Sequence, residues 1–495
     1  MFTIFHRRPE AAEPLPDEDT GQPLSKLAVR GGAYLVGREG IGMVIRLVGV
    51  VITLRLIGPA AFGLYSGAIA FTVVVTSVVQ LGAEVYLIRM PETPRREQYD
   101  EVFTYLLITS VVVVGLAFGA TFIVGGSLRP VGVLLPLRVL LFGIPINALW
   151  APAQARIERG FGYRKMGILE IGGDLALYVT AVPLAFLGAG TWSLVGGFFA
   201  WQTFLLVGSY AMSGLRPRLR WSRQTAKDLT KFGFSFSLAT WIALLGGLAN
   251  PLIVGRFFGA RGVGFVAFAQ RLVDVIGFAQ RGAYRLGLVA MSRVPDEQTH
   301  RLRRAIEEGS ELQLIALGLP FAVFGVLAPT AIPLFFGREW SPAIHLYSLL
   351  ALAAFFGASG LLQTTLLWSR RRNLTVAFSS FVQSAVLIAA SVALVQKYGI
   401  DGFGWASLLG LMNLIYIDRK VRSIVSFSYR NYALVAVTLA PMVAYPLIPL
   451  PISLVVFAPL IIFMIVPFTR REGLSQVAII RSALARKDPD EEATS

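Results

Sequence analysis

Cysteine is absent from the chain, which excludes disulfides, thiolate metal sites and a thiol nucleophile. Histidine is nearly absent: His6, His300 and His345 stand far apart, and a zinc site is not expected. Charged residues make up only 15% of the chain, and acids are the scarcer sign, with 29 Asp and Glu against 45 Lys and Arg. Polar stretches between apolar runs are short, and the longest, 214–231, is too small to fold as a domain. Acid–base or metal-assisted chemistry would want paired carboxylates in a sizeable loop, and there is no such loop. No cofactor and no enzymatic activity are expected.

Apolar sequence is abundant instead. The chain is 55% hydrophobic with a mean hydropathy of +0.65, above the range of soluble domains. Runs of spanning length recur from Leu27 to Phe468. They read as spans 27–57, 62–89, 101–124, 132–155, 166–187 and 192–213 in a first lobe (27–213). Spans 232–257, 263–290, 305–329, 342–368, 374–395 and 402–417 make a second lobe (232–417), and two more follow at 432–448 and 452–468, within 432–468. The expected fold class is all-α: a polytopic membrane protein of about fourteen helices, two six-helix lobes around a central cavity plus two C-terminal helices. Residues 1–26 are polar and proline-containing and read as a cytoplasmic disordered tail, as do 469–495.

The net charge of +16 would suggest nucleic acid in a soluble protein. Here it sits in alternate loops: about two dozen Lys and Arg, from Arg89 through the linker 214–231 to Arg430, face one side. Arg129, Arg261, Arg338 and Lys397 are nearly alone on the other. That bias places both termini in the cytoplasm and leaves no role for nucleic acid.

One stretch occurs twice. Arg55-Leu56-Ile57-Gly58 continues to Gly63, and Arg256-Phe257-Phe258-Gly259 continues to Gly264; the same register aligns Ala68 with Ala269. Both stretches lie between apolar runs, so each reads as a glycine-marked hairpin at the same place in two halves, the pattern of a duplicated transporter. The repeat extends to Gly190–Leu194, read as opening span six, and Gly404–Leu408, read as opening span twelve. Extra residues of the second half are expected in an outer loop around Pro333 to Pro342.

Ionisable residues inside apolar spans mark wet or paired interiors. Span one carries Arg38, Glu39 and Arg46; span two carries Gln80 and Glu84; span five carries Glu170 and Asp174. Span eight carries Arg271, Asp274, Arg281 and Arg285, which at helical periodicity form one stripe. A low-dielectric lumen lined by Arg38, Arg46, Arg271, Arg281 and Arg285 would attract an anion. The planar guanidinium suits phosphate oxygens, and a diphosphate linker is the natural membrane-borne one. Glu39, Glu84 and Asp274 are the cavity acids, open to a coupling role.

At this point the chain resembles a known family. Arg55 to Tyr65, Arg159-Gly160-Phe161-Gly162-Tyr163-Arg164-Lys165, Arg216-Pro217-Arg218-Leu219-Arg220 with Lys231-Phe232-Gly233, Ala290-Met291-Ser292-Arg293, and Phe336-Gly337-Arg338-Glu339-Trp340 occur in the order seen in polysaccharide transporters. These are the Wzx-type flippases of the multidrug/oligosaccharidyl-lipid/polysaccharide exporter superfamily. The resemblance implies two lobes facing a central cavity and translocation of undecaprenyl-diphosphate-linked oligosaccharide across the bacterial inner membrane, for O-antigen, capsule or exopolysaccharide. Partners implied are that lipid-linked glycan, membrane lipid and other polysaccharide assembly proteins. Many members carry Asp after the Asn of span seven, whereas here Asn250 is followed by Pro251, which leaves coupling to a Na+ or H+ gradient open. Two relatives remain as alternatives: a lipid II flippase, and a cation-coupled multidrug exporter, whose cavity would be acidic. A membrane glycosyltransferase or polymerase is disfavoured by the short loops.

Overall fold

The computed structural model describes residues 24–448, apart from 91, 124, 129–131, 161, 278–298 and 371. The end of span eight and the final span therefore lie outside the described residues. Residues 45–467 form one compact unit, and 1–44 with 468–495 form another.

Every described element is helical. The first half of the described chain contains α1 (Leu24–Gln80), α2 (Ala83–Ile88), α3 (Arg96–Ile123), α4 (Gly125–Leu128), α5 (Leu134–Leu141), α6 (Gly143–Arg159), α7 (Tyr163–Phe186) and α8 (Thr191–Ser213). Beyond it come α9 (Arg223–Gly247), a π turn (Asn250–Val254), α10 (Gly255–Ile276), α11 (Thr299–Phe336), α12 (Ala343–Gly357) and α13 (Ser359–Ser369). The described chain ends with α14 (Asn373–Tyr398), α15 (Asp401–Gly410), α16 (Asn413–Arg422) and α17 (Arg430–Val443). Among the described residues eight helices are long and apolar enough to cross a membrane, or nine if α12 and α13, bent by 43° at Ala358, count as one span. Two of the eight, 42–88 and 240–276, are 47 and 37 residues long and each holds a glycine break, so each contains two of the expected spans. Side chains such as Leu116, Ile123 and Val179 stand exposed on outer faces, as a hydrocarbon solvent allows and water does not. The protein is a multi-pass membrane protein.

The two breaks fall on the repeated motif. Gly58 adopts φ 72°, ψ 174° inside α1, and Gly259 adopts φ 60°, ψ −163° inside α10. This region is open to glycine and strained for other residues. Residues on both sides of Gly58, from Val50 to Leu54 and from Phe62 to Ile69, line one cavity, so the chain folds back there.

The two hairpins also touch each other. A Cβ built on Gly63 would lie 1.7 Å from the Ala260 carbonyl oxygen, and one on Gly264 would lie 2.0 Å from that of Pro59. Backbone therefore meets backbone along this seam, and only glycine permits it. Around it, Arg55 Nη1 donates to the Leu334 and Phe335 carbonyls at 3.1 and 3.4 Å. The fully buried Trp340 packs on Phe268 at 4.5 Å, Phe62 at 6.0 Å and Phe265 at 6.3 Å, tying the two hairpins to the segment after α11.

Some details depart from the sequence reading. The stretch from Pro333 is not a loop: α11 continues to Phe336, and a 3-10 turn follows over Arg338–Trp340. Gly404 does not open span twelve, because α15 already begins at Asp401. The turn glycine comparable to Gly190 (φ 54°) is Gly399 (φ 66°). Span two ends at Gln80 and restarts at Ala83, with Leu81 at φ 45°.

Two hydrophobic cores dominate. One is built on Leu87, Leu106, Leu140 and Ile144, the other on Phe268, Phe321, Tyr347 and Phe355. In the Arg-rich loops, Arg159 donates to four carbonyls, those of Leu87, Ile88, Met90 and Glu92, at 2.8–3.1 Å. This guanidinium clamps the chain leaving α2 and explains why the loop motif starts with Arg. On the same side Tyr429 donates to Asp418 Oδ1 at 2.7 Å, and burial together with that carboxylate raises the pKa of its hydroxyl.

Candidate functional site

A cavity of about 1000 Å³ begins one turn beyond the glycine seam. One wall comes from α1, α7 and α8 (Thr53, Tyr65, Ser66, Tyr178), and the opposite one from α9, α10 and α12 to α16. Lining residues Phe62, Ser66, Ala267, Gln270, Arg271 and Asp274 follow directly from the two hairpins, so the repeat builds the site as well as the seam.

Arg271 is exposed on this wall and is its one cation among the described residues; Asp274 is its one acid. Asp274 accepts from Gln270 Nε2 at 3.1 Å, while the Arg271 guanidinium lies against the Tyr178 hydroxyl. A phenol is a neutral partner, so this contact brings no counter-charge to the guanidinium. Arg46 is placed differently. Its Nη1 pairs with Asp174 Oδ2 at 2.8 Å, joining α1 to α7, and it is not among the residues of the cavity wall. Arg281 and Arg285 lie outside the described residues, as do the side chains of Arg38 and Glu39.

Glu84 lines a second cavity, of about 590 Å³, within the first lobe and against α9. It shares Tyr65 and Ile69 with the larger one. Gln80 Nε2 donates to Asn147 Oδ1 at 2.7 Å there, and Glu158, which accepts from Gln154 at 3.0 Å, lies against Glu84.

Among the described residues the wall of the larger cavity is also rich in amides. Asn250, Gln270, Gln383 and Asn413 line it, with Thr364, Ser384 and Ser407. Charges in apolar spans stand out in a sequence; neutral Asn and Gln do not, although each is also costly in hydrocarbon. Groups of three or more His, Cys, Asp or Glu that could hold a metal ion do not occur among the described residues.

The fold and its cavity have known counterparts. The polysaccharide biosynthesis protein family matches residues 52–345, more than half of the chain. The chain belongs to this family. A relative within known polysaccharide transporters is the succinoglycan biosynthesis transport protein ExoT of Rhizobium meliloti (strain 1021), 24% identical over 310 residues, which is 62% of each chain. The match therefore spans somewhat under two thirds of that protein's length. Among solved structures, the lipid II flippase MurJ in an inward closed conformation is similar at a TM-score of 0.67 and 12% identity, covering 91% of this chain and 100% of that one. An inward-facing multidrug resistance MATE transporter of the MOP superfamily is similar at 0.64 and 16% identity, over 79% and 98%. These likenesses are of fold. They agree with an all-α polytopic architecture.

Proposed function

We propose that this polysaccharide biosynthesis family member is a flippase, making no bond, that carries undecaprenyl-diphosphate-linked oligosaccharide across the bacterial inner membrane by alternating access. The observation that carries the proposal is the cavity itself. It lies between the two repeats and beside the backbone seam, with the Arg271 guanidinium on its wall. Arg271 holds the diphosphate, with Arg281 and Arg285 as the further arginines that the sequence offers for it; the glycan occupies the lumen while the polyprenyl tail stays in lipid. The name of the relative, a succinoglycan transport protein, supports that class of substrate. The similarity in fold to a lipid II flippase supports a second reading, a peptidoglycan precursor as cargo, which offers the same diphosphate to the same arginine. The first lobe is 27–213 and the second 232–417, and the Glu84 cavity is the place for coupling to a proton or Na+ gradient.

Removing one charge-assisted phosphate contact costs about 1.5–3 kcal/mol, roughly a ten- to hundredfold loss of affinity. Glycan export in cells carrying Arg271→Ala should fall accordingly, with Arg271→Lys recovering part, because lysine keeps the charge and loses the fork. The double variant Arg281→Ala/Arg285→Ala should fall further. Wild-type export from either at normal membrane abundance overturns the diphosphate assignment.

The Lys and Arg bias puts both termini and the 214–231 linker in the cytoplasm. The glycine seam is then at the periplasmic end of the cavity. Reporter fusions after Lys231 and after Arg430 should be active only with a cytoplasmic reporter. Periplasmic activity at either point reverses the orientation.

A further inference from the structure

We propose that the amide wall of the cavity, formed by Asn250, Gln383 and Asn413, binds sugar hydroxyls of the cargo and is where this protein reads its glycan. The inference rests on the flippase reading and assigns a second subsite, opposite in chemistry to the arginine.

Three observations carry it. Gln383 is exposed on α14 and faces the cavity. Asn413 starts α16, is only 7% exposed, and its Nδ2 donates to Ser379 Oγ at 3.1 Å and to Gln383 Oε1 at 3.5 Å. Its Oδ1 is buried with no protein partner. Asn250 sits where the helix ladder widens to a π turn: Pro251 has no N–H, and Gly255 donates five residues back to the Asn250 carbonyl. Its Nδ2 donates to the Val263 carbonyl at 3.3 Å, and its Oδ1 too has no partner.

A buried amide acceptor without a donor destabilises its own state, and an apolar residue of similar shape would avoid that cost. Both residues line the lumen beside the exposed Gln383 amide, and a donor brought by the cargo would satisfy their oxygens once the side chains turn toward it. An ionised diphosphate only accepts and cannot be that donor. A sugar hydroxyl donates and accepts at once, so it can satisfy the Asn oxygens while taking the amide hydrogens of Gln383. Sites that hydrogen-bond hydroxyls discriminate strongly between cargos that differ in them. The arginine would then recognise what all these lipids share, and the amide wall what differs.

The test uses full-length protein in nanodiscs and two probes: undecaprenyl diphosphate without sugar, and the lipid-linked oligosaccharide extracted from host cells lacking this chain. Gln383→Leu and Asn413→Leu should each weaken the glycan-bearing lipid about tenfold, the loss of one hydrogen bond, and leave the sugar-free lipid within twofold. Arg271→Ala should weaken both. Gln383 is exposed, so its variant keeps the test valid if Asn413→Leu fails to fold. Equal weakening of both lipids by Gln383→Leu, or of neither, overturns the amide subsite while leaving the flippase reading intact. If wild-type binding of the glycan-bearing lipid vanishes in sodium-free buffer and Gln383→Leu abolishes that dependence, the amides hold a cation and the inference is overturned. Failure of wild type to bind either lipid overturns the flippase reading itself.

Discussion

A single methyl at Gly63 is expected to stop glycan export without removing the protein from the membrane. The added Cβ would stand 1.7 Å from the Ala260 carbonyl oxygen and 2.7 Å from the Gly264 amide nitrogen. Backbone atoms cannot rotate away as a side chain can, so the two hairpins must separate. Overpacking of this kind costs about 1–3 kcal/mol, and a two-state equilibrium moves about tenfold for each 1.4 kcal/mol. The double variant Gly63→Val/Gly264→Val should hold the seam apart almost fully. The absence of native cysteine allows a clean readout: spin labels at Ala61→Cys and Arg261→Cys should report a short distance in the parent that changes when cargo is added. The glycine variants should show the longer distance always. Gly119→Ala is the control, since nothing lies within 4 Å of its Cβ. An unchanged label distance with normal export in Gly63→Ala would remove the seam from the transport cycle, and one fixed distance in the parent under all conditions would argue against rocking.

The second large effect concerns Arg46 and Asp174. Their 2.8 Å contact is partly buried, with side-chain exposures of 33% and 15%. Removing one member of such a pair takes a counter-charge from the other in a membrane interior, at a cost of up to about 3–5 kcal/mol. Asp174→Ala should therefore cut membrane abundance sharply. Replacing both members by leucine should restore much of it, because the burial penalty goes with the charges. Export then decides the role of Arg46: recovery in Arg46→Leu/Asp174→Leu makes the pair structural, while normal abundance without export returns Arg46 to the diphosphate site. Normal abundance of Asp174→Ala alone would mean that the pair contributes little.

The hairpins were legible in the sequence because positive-φ breaks demand glycine, and Gly58 and Gly259 recur in one register with Arg55 and Arg256. The span pattern was legible because hydrocarbon tolerates few polar side chains. Pairings between distant segments were not. Nothing local to Arg46 points to Asp174, 128 residues away, and the contact of Gly63 with Gly264 exists only once the halves face each other. Asn413 and Gln383 escaped notice because an amide in a span carries no charge to flag it, and their role depends on packing across three helices. Span ends were blurred where 3-10 and π turns extend or interrupt helices, as at Arg338–Trp340 and Asn250–Val254.

The seam also bears on how the chain arose. Gly63 meets Ala260, and Gly264 meets Pro59; in the register of the repeat, Gly264 is the counterpart of Gly63 and Ala260 that of Pro59. Each residue therefore touches the copy of its own neighbour, which is the signature of an isologous contact around a two-fold axis. A half-length ancestor would have dimerised through this patch before its gene was duplicated and fused. Any early substitution there acted twice in one molecule, so the glycines at the axis had to be right on both sides before the halves were free to diverge.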